Sequence, residues 1–464
     1  MYGEDGEAVE ENFSRRLKTA VAGDPGASLV FLGNFEVEEE WARGETGLPR
    51  LSSAGNSAVV NRMEEFALLL GGADDHVVLK TRPDEDYLDH LRRLGLALPT
   101  VHVVAGQRPD HMVTRDALAD DALIAALGEL ADRGALLAPH GVSALEEELA
   151  ARSRLPLAAP PAPLCKAVNS KVYSRRAADA AGLRQPRGWA CETLDALDAA
   201  MAHAAELCEQ GVTLMVKEAF GVSGKGIAVV DSRRRLDRLH TMITRAARAA
   251  GSDRAAFVIE ERVAKDRDLN YQITVGRDGA VRLDFVKEAL TEGGVHKGHR
   301  FPPDLTTRQL DDIRHAARLL GKQLASDGFF GVAGIDAIVD TDGGVFPVIE
   351  INARNNMSTY QVRLQERVLA PGQSALARHY PLRLRRELPF AAVRRLLDGL
   401  LLRSPGEEGL VVNNFATVNA GAGSGPYQGR LYGLLVGAPE RLPALDEAVS
   451  EQLATLTEEP ADAR

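Results

Sequence analysis

A chain of 464 residues, 45% hydrophobic and 26% charged, exceeds what one ordinary core serves and suggests about three folded domains. A formal charge of −11 and an isoelectric point near 5.6 argue against a general nucleic-acid binder, so anionic substrates would need locally placed Lys and Arg. Cys165, Cys191 and Cys208 form no CxxC pair and no metal spacing with histidine; the start MYGEDGEAVEENFSRR lacks a secretory apolar segment, and no run reaches membrane-spanning length. A cytoplasmic protein that engages neither membrane nor nucleic acid is the expectation.

The first ~20 residues are charge-rich and read as a helical or frayed lead-in. ASLVFLGNF (Ala27 to Phe35) has the character of a buried strand ending at Gly33-Asn34, and helix-like and strand-like periods then alternate to about Gly106. An open α/β domain over residues 1–155 follows from that alternation. In LPLAAPPAPLCKAVNSK, Pro156, Pro160, Pro161 and Pro163 are expected to break regular structure and form a linker.

Residues 156–385 read as an α+β unit. Strands are expected at Thr213 to Lys217, Ile227 to Val230, Ala256 to Glu261, Asn270 to Val275 and Val281 to Glu288. Helices are expected at Thr193 to Gln210, Arg235 to Ala250 and Thr307 to Asp327. GVAGIDAIVD (Gly331 to Asp340) and FPVIEINARNN (Phe346 to Asn356) form a hairpin across TDGG. Residues 386–464 hold a helix (Phe390 to Arg403), strands at Gly409 to Val418 and Gly429 to Val436, and a closing helix, expected as a small third domain.

The hairpin carries the chemistry. Glu350, Asn352 and Arg354 alternate, so they share one strand face, and hard oxygen ligands beside a guanidinium suit magnesium and phosphate. Asp336 joins that face only if the connecting turn has an odd number of residues; three or five are expected, with Gly343 or Gly344 at positive φ.

VKEAFGVSGKGIAVV (Val216 to Val230) places Lys217 at a strand end before Gly221, Ser223, Gly224 and Gly226, a flap whose backbone amides can cradle polyphosphate. Such a turn is equally explained as plain structure. Lys171 opens a helix after Asn169-Ser170, where phosphate also binds well, although a solvated lysine beside an N-cap is the simpler account. Glu260 and Glu261 end a strand near a connection whose backbone groups suit an adenine edge, and Asp268 could accept from a ribose; two acids on a solvated strand end are the alternative.

In this order, NSK, VKEAFGVSGKG, IEERVAKDRDLN, GIDAIV and VIEINAR resemble the ATP-grasp superfamily over roughly residues 160 to 370. The resemblance implies ATP as substrate and Mg²⁺ as cofactor, in two ions, with Mn²⁺ as a substitute. Lys171 and Lys217 would bind phosphate, and Gly221 to Gly226 would cover it. Glu261 and Val263 would meet adenine, and Asp268 ribose. Asp336, Glu350 and Asn352 would hold metal, and Arg354 would stabilise the transferred phosphoryl group. The whole chain, with FLGNFEVEE and GNSAVVNRMEEFALLL ahead of the core and VVNNFATVNAGAGSGPYQGRLYGL behind it, is similar to pheganomycin-type peptide ligases. That similarity implies activation of a small carboxylate, an amino acid or derivative, as an acyl phosphate and its transfer to an amine or peptide acceptor. Gly334 departs from the arginine of D-alanine ligases.

KEALTEGGVHKGHRFPPD (Lys287 to Asp304) is longer and more basic than a hairpin requires, so Arg300, with His296, is expected to bind the substrate carboxylate or acyl phosphate; a solvated loop is the alternative. Asn355, Asn356 and Ser358 would touch substrate or cap a helix. Competing functions are a carboxylase or purine-pathway ligase, and a nucleotide-binding regulatory module without turnover; a homodimer is one option for assembly.

Overall fold

The computed structural model describes residues 12–48, 57–221, 226–292, 295–423 and 425–458. Sixteen strands occur among them: β1 Leu29–Leu32, β2 His76–Leu79, β3 Thr100–Val103, β4 Leu136–Pro139, β5 Gly188–Thr193, β6 Leu214–Glu218, β7 Ile227–Val230, β8 Arg254–Glu261, β9 Lys265–Val275, β10 Val281–Glu292, β11 Val295–Phe301, β12 Gly331–Asp340, β13 Val345–Asn352, β14 Ser374–Leu384, β15 Gly409–Asn414 and β16 Tyr427–Gly437. They build three sheets. The first is wholly parallel, in the order β3-β2-β1-β4, as the alternating periods of the first 155 residues lead one to expect. A small antiparallel sheet, β5-β8-β6-β7, carries the glycine-rich flap between β6 and β7.

The third sheet has eight strands in the order β13-β12-β9-β10-β11-β14-β16-β15. It crosses the expected boundary near residue 385: β14 pairs with β16 along its whole length, from Ser374 with Gly437 to Leu384 with Tyr427. Residues 386–464 therefore do not form a sheet of their own. Buried Leu410, Leu431, Leu434 and Leu435 of this tail share one apolar cluster with Phe66, Leu69 and Tyr87 of the leading domain.

One face of the large sheet is covered by the helix Thr307–Ser326, which buries Ile313, Leu320 and Leu324 against Leu269, Tyr271, Ile273 and Val286. Each such side chain, moved from water to this core, contributes about 1.5–3 kcal/mol. The opposite face is the polar one. Because directly paired residues share a face, Asp336, its partner Glu350 on β13 and its partner Asn270 on β9 all project there, with Lys287 beside Asn270 on β10.

The proline run is not a plain linker. Pro161 is the N-cap of a short helix, Ala162–Val168, and Pro163 lies in its first turn, where a missing N–H costs nothing. The helix expected over Phe390 to Arg403 stops at Leu396, ahead of Gly399 at φ 85°. The strand expected to run to Val418 stops at Asn414, whose side chain accepts from Thr417 N and starts a 3-10 turn, Ala416–Asn419.

Candidate functional site

The β12–β13 hairpin has the parity that the metal site requires. Val339 pairs with Val345, enclosing the five-residue turn 340–344, with Gly343 at φ 80°. Farther along, the register shifts between Asp336 and Ile338, so that Ile338 faces Phe346 but Asp336 faces Glu350. The shift adds two residues on β13, which preserves the face. Asp336 Oδ1 accepts from Asn270 Nδ2 at 2.9 Å and Oδ2 from Asn352 Nδ2 at 3.3 Å. Asp336, Glu350 and Asn352 thus offer two carboxylates and an amide at one place, a hard-oxygen set suited to magnesium alongside phosphate oxygens. No group of three His, Cys, Asp or Glu side chains stands ready for a metal among the described residues.

Burial, reinforced by the Glu350 carboxylate, pushes Asp336 up to about 6. A carboxyl raised on folding favours the folded state below its unfolded value of 3.8, and that contribution is lost as pH rises through about 6. Thermal melts of metal-free protein are therefore expected to show this loss between those values, and Asp336→Asn to flatten it. Magnesium needs the ionised carboxylate, so Mg²⁺-dependent nucleotide affinity should rise over the same interval.

Lys171 is the first residue of the helix Lys171–Ala180, whose N-cap is Ser170. Ser174 of this helix accepts from Ile351 N at 2.9 Å, which locks it to β13. From there Lys171 Nζ reaches Glu350 Oε1 at 2.6 Å and the carbonyl of Gly221 at 3.0 Å. Lys217, on β6, is ion-paired with Glu260 on β8, both about 5% exposed, and Arg175 Nη1 stands 3.7 Å from the other oxygen of Glu260. Arg354 pairs with Glu38 of the leading domain and donates to Asn352 Oδ1 at 3.1 Å. Each expected phosphate-binding cation is thus held by an acid that polyphosphate would displace.

Of the flap residues, Gly221 and Gly226 are described, whereas Ser223 and Gly224 fall outside the described residues. Gly226 lies at φ 80°, and a Cβ there would come within 2.4 Å of Glu218 Oε2, so glycine is required. At the nucleoside end, Glu260 is committed to Lys217, and Glu261 pairs with Arg187 while its amide donates to Arg187 O at 2.8 Å. The Glu261 N–H is therefore engaged within the small sheet. Val263 lies in the connection between the small sheet and β9, where its backbone has no partner among the described residues. Asp268 accepts from Thr291 Oγ1 at 2.8 Å and pairs with Lys265.

Arg300 is not where the expectation put it. The segment Lys287 to Asp304 is largely two paired strands, β10 and β11, and Glu288 opposes Arg300. Alternation turns Arg300 to the face away from Asp336, where it is half exposed and 3.8 Å from Glu288. Lys297 and His299, of opposite parity, border instead a cavity of about 400 Å³. The side chain of His296 lies outside the described residues. The cavity opens between the leading domain and the large sheet, bounded by Phe35, Met63 and Phe66 on one side and by Arg354, Asn356 and Tyr432 on the other.

Asn356 serves the capping role expected of it. Its Oδ1 accepts from Ser358 N and Thr359 N at 2.8 and 3.1 Å, capping a 3-10 turn, while its Nδ2 is buried without a partner among the described residues. A Cβ on Gly334 would lie 2.0 Å from that Nδ2, so Asn356 fills the space that a side chain at position 334 would take. Beneath the cavity floor, Lys287 donates to Ser358 O at 3.1 Å, and burial holds its ammonium well below the usual lysine range. Asn270, Lys297, His299 and Glu38 are not in the expected site. Period-two spacing from Asp268 reaches Asn270, whereas Glu38 is separated from Arg354 by most of the chain.

Residues 63–155 match the model of the pre ATP-grasp domain, and residues 170–360 match that of the carbamoyl-phosphate synthase L chain ATP binding domain. A butirosin acyl-carrier protein L-glutamate ligase of Niallia circulans is 27% identical over 327 residues, 70% of this chain and 71% of that protein. Among solved structures, the ADP complex of an N5-carboxyaminoimidazole ribonucleotide synthetase has a TM-score of 0.53 at 13% identity, covering 94% of this chain and 98% of that one. A biotin carboxylase from Campylobacter jejuni has a TM-score of 0.52 at 14% identity, covering 93% and 95%. Those two show likeness of fold. The chain thus carries a pre-ATP-grasp domain leading into an ATP binding domain of the carbamoyl-phosphate synthase L chain kind.

Proposed function

We propose that the protein is an ATP-dependent carboxylate–amine ligase that converts a small carboxylate, an amino acid or derivative, to an acyl phosphate and passes the acyl group to an amine or peptide, releasing ADP and phosphate. One observation carries the reading. Lys171, Asp336, Glu350 and Asn352 converge with Arg354, which also borders a cavity of about 400 Å³, large enough for a small organic acid and its acceptor.

Phosphoryl transfer is catalysed mainly by positioning and by offsetting charge, so lysines, an arginine and metal-binding oxygens suffice without a covalent nucleophile. In this reading Lys171 and Lys217 neutralise the triphosphate. Asp336, Glu350 and Asn352 hold two Mg²⁺ ions, or Mn²⁺, whose charge offsets that on the transferred group. Val263 and Asp268 meet the nucleoside, and Arg354 orients the phosphoryl oxygens toward the carboxylate. Lys297 and His299 replace Arg300 as the groups facing substrate. The three thiols are buried and unpaired, which suits the reducing cytoplasm. The setting in this reading is peptide natural-product biosynthesis, and the relative from Niallia circulans, a ligase of L-glutamate, supports an amino-acid carboxylate as substrate.

The test is ADP and phosphate release from Mg²⁺–ATP across a panel of carboxylates and amines, with mass spectrometry of the product. An amide is expected for at least one pair. Bound ATP with no product from any pair would favour the regulatory module.

A further inference from the structure

Glu38 lies on the short helix Val37–Trp41, directly after the loop that leaves β1. That loop is fixed: Asn34 Nδ2 donates to Gly141 O at 2.8 Å, and Trp41 Nε1 donates to Val142 O at 2.9 Å. Glu38 is 9% exposed, and its two oxygens differ. Oε1 is ion-paired with Arg354, whereas Oε2 is buried with no hydrogen-bond partner among the described residues. The residue also borders two spaces at once: the narrow recess that contains Lys171, Glu350 and Asn352, and the cavity of about 400 Å³.

A buried acceptor without a donor is costly, more so when charged, so such an oxygen is explained when a ligand brings the missing donor. An ammonium is the fitting donor. Resting on the ligase reading above, the chemistry also requires a proton acceptor at this point. An aliphatic amine arrives protonated at neutral pH, and only its neutral form attacks a carbonyl carbon. Activation of the carboxylate needs no base, which ties the free oxygen to the second half-reaction.

We propose that Glu38 is the acceptor-amine subsite: Oε2 receives the incoming ammonium and takes one of its protons. The nitrogen lone pair then forms the C–N bond with the acyl carbon. The C–O bond to phosphate breaks, and its electron pair leaves on the phosphate oxygen. The second proton departs with phosphate, so the products are amide, hydrogen phosphate and protonated Glu38. Glu39, exposed on the same helix and bordering the same cavity, extends the negative edge that a cationic acceptor would approach.

The experiment compares two nucleophiles for one acyl phosphate. Each proteinogenic amino acid is offered as carboxylate with Mg²⁺–ATP, and either glycinamide or hydroxylamine is supplied. Hydroxylamine is largely uncharged at neutral pH and needs no proton acceptor, so the hydroxamate it forms reports activation alone. For Glu38→Gln the ratio of amide to hydroxamate is expected to fall about a hundredfold, the scale of a lost general base. Glu38→Asp, which keeps the charge, should recover part of that ratio and serves if the glutamine variant does not fold. Equal losses of amide and hydroxamate would overturn the assignment, since they would mean that Glu38 only holds Arg354 or contacts the acyl donor. Wild-type protein that forms no hydroxamate with any carboxylate would overturn the ligase reading, and this assignment with it.

Discussion

Glu350→Gln is expected to reduce ATP-dependent turnover by about 10²–10³-fold or more, the scale at which one preorganised electrostatic group is lost. The fold should survive, because the Glu350 side chain is 23% exposed and its pair with Lys171 stands partly in water. Two functions meet at this carboxylate. It neutralises Lys171 at 2.6 Å, and opposite Asp336 it is one of two carboxylates available to magnesium. Glutamine keeps the shape and removes the charge. Calorimetric titration should then show nucleotide still binding without metal, since Lys171 is released for phosphate, while added Mg²⁺ no longer tightens it. Activity retained in the variant would place the metal site elsewhere.

Lys217→Met should affect stability and nucleotide affinity together, and a second substitution should separate them. Lys217 and Glu260 are both buried, and removal of one partner of such a pair costs about 3–5 kcal/mol because it strands the other charge. Arg175, 3.7 Å from Glu260, softens this toward the lower end. In the double variant Lys217→Met, Glu260→Gln no charge is stranded, so denaturant melts should recover most of the lost stability. ATP affinity should remain at least about tenfold below wild type in both, in line with one lost charge-assisted contact of about 1.5–3 kcal/mol. Recovery of affinity along with stability would mean that Lys217 is a structural residue only.

The metal wall was the most legible part of the sequence, for a definite reason. Strand alternation and hairpin parity are local rules, so Glu350, Asn352 and Asp336 could be assigned to one face, and the odd turn with Gly343 at positive φ is present. Lys287 through Asp304 is longer and more basic than a hairpin requires, which pointed to a loop instead. Once β10 and β11 are paired, parity exchanges Arg300 for Lys297 and His299. Composition misled at Pro156 to Pro163, because a proline that breaks a helix interior is tolerated in its first turn.

Long-range pairing was not legible at all. The addition of β14, β16 and β15 to the large sheet depends on partners far along the chain, as does the contact between Glu38 and Arg354. No periodicity records such contacts. The cavity of about 400 Å³, which these distant segments enclose, was accordingly the least visible part of the structure.

The central claim is that a carboxylate oxygen attacks the terminal phosphate of ATP. The most direct measurement uses a carboxylate labelled with oxygen-18, in any pair that the protein joins, and phosphorus NMR of the products. An acyl-phosphate route predicts one labelled oxygen in the released phosphate and none in the nucleotide. Label appearing in AMP, or phosphate without label, would contradict it.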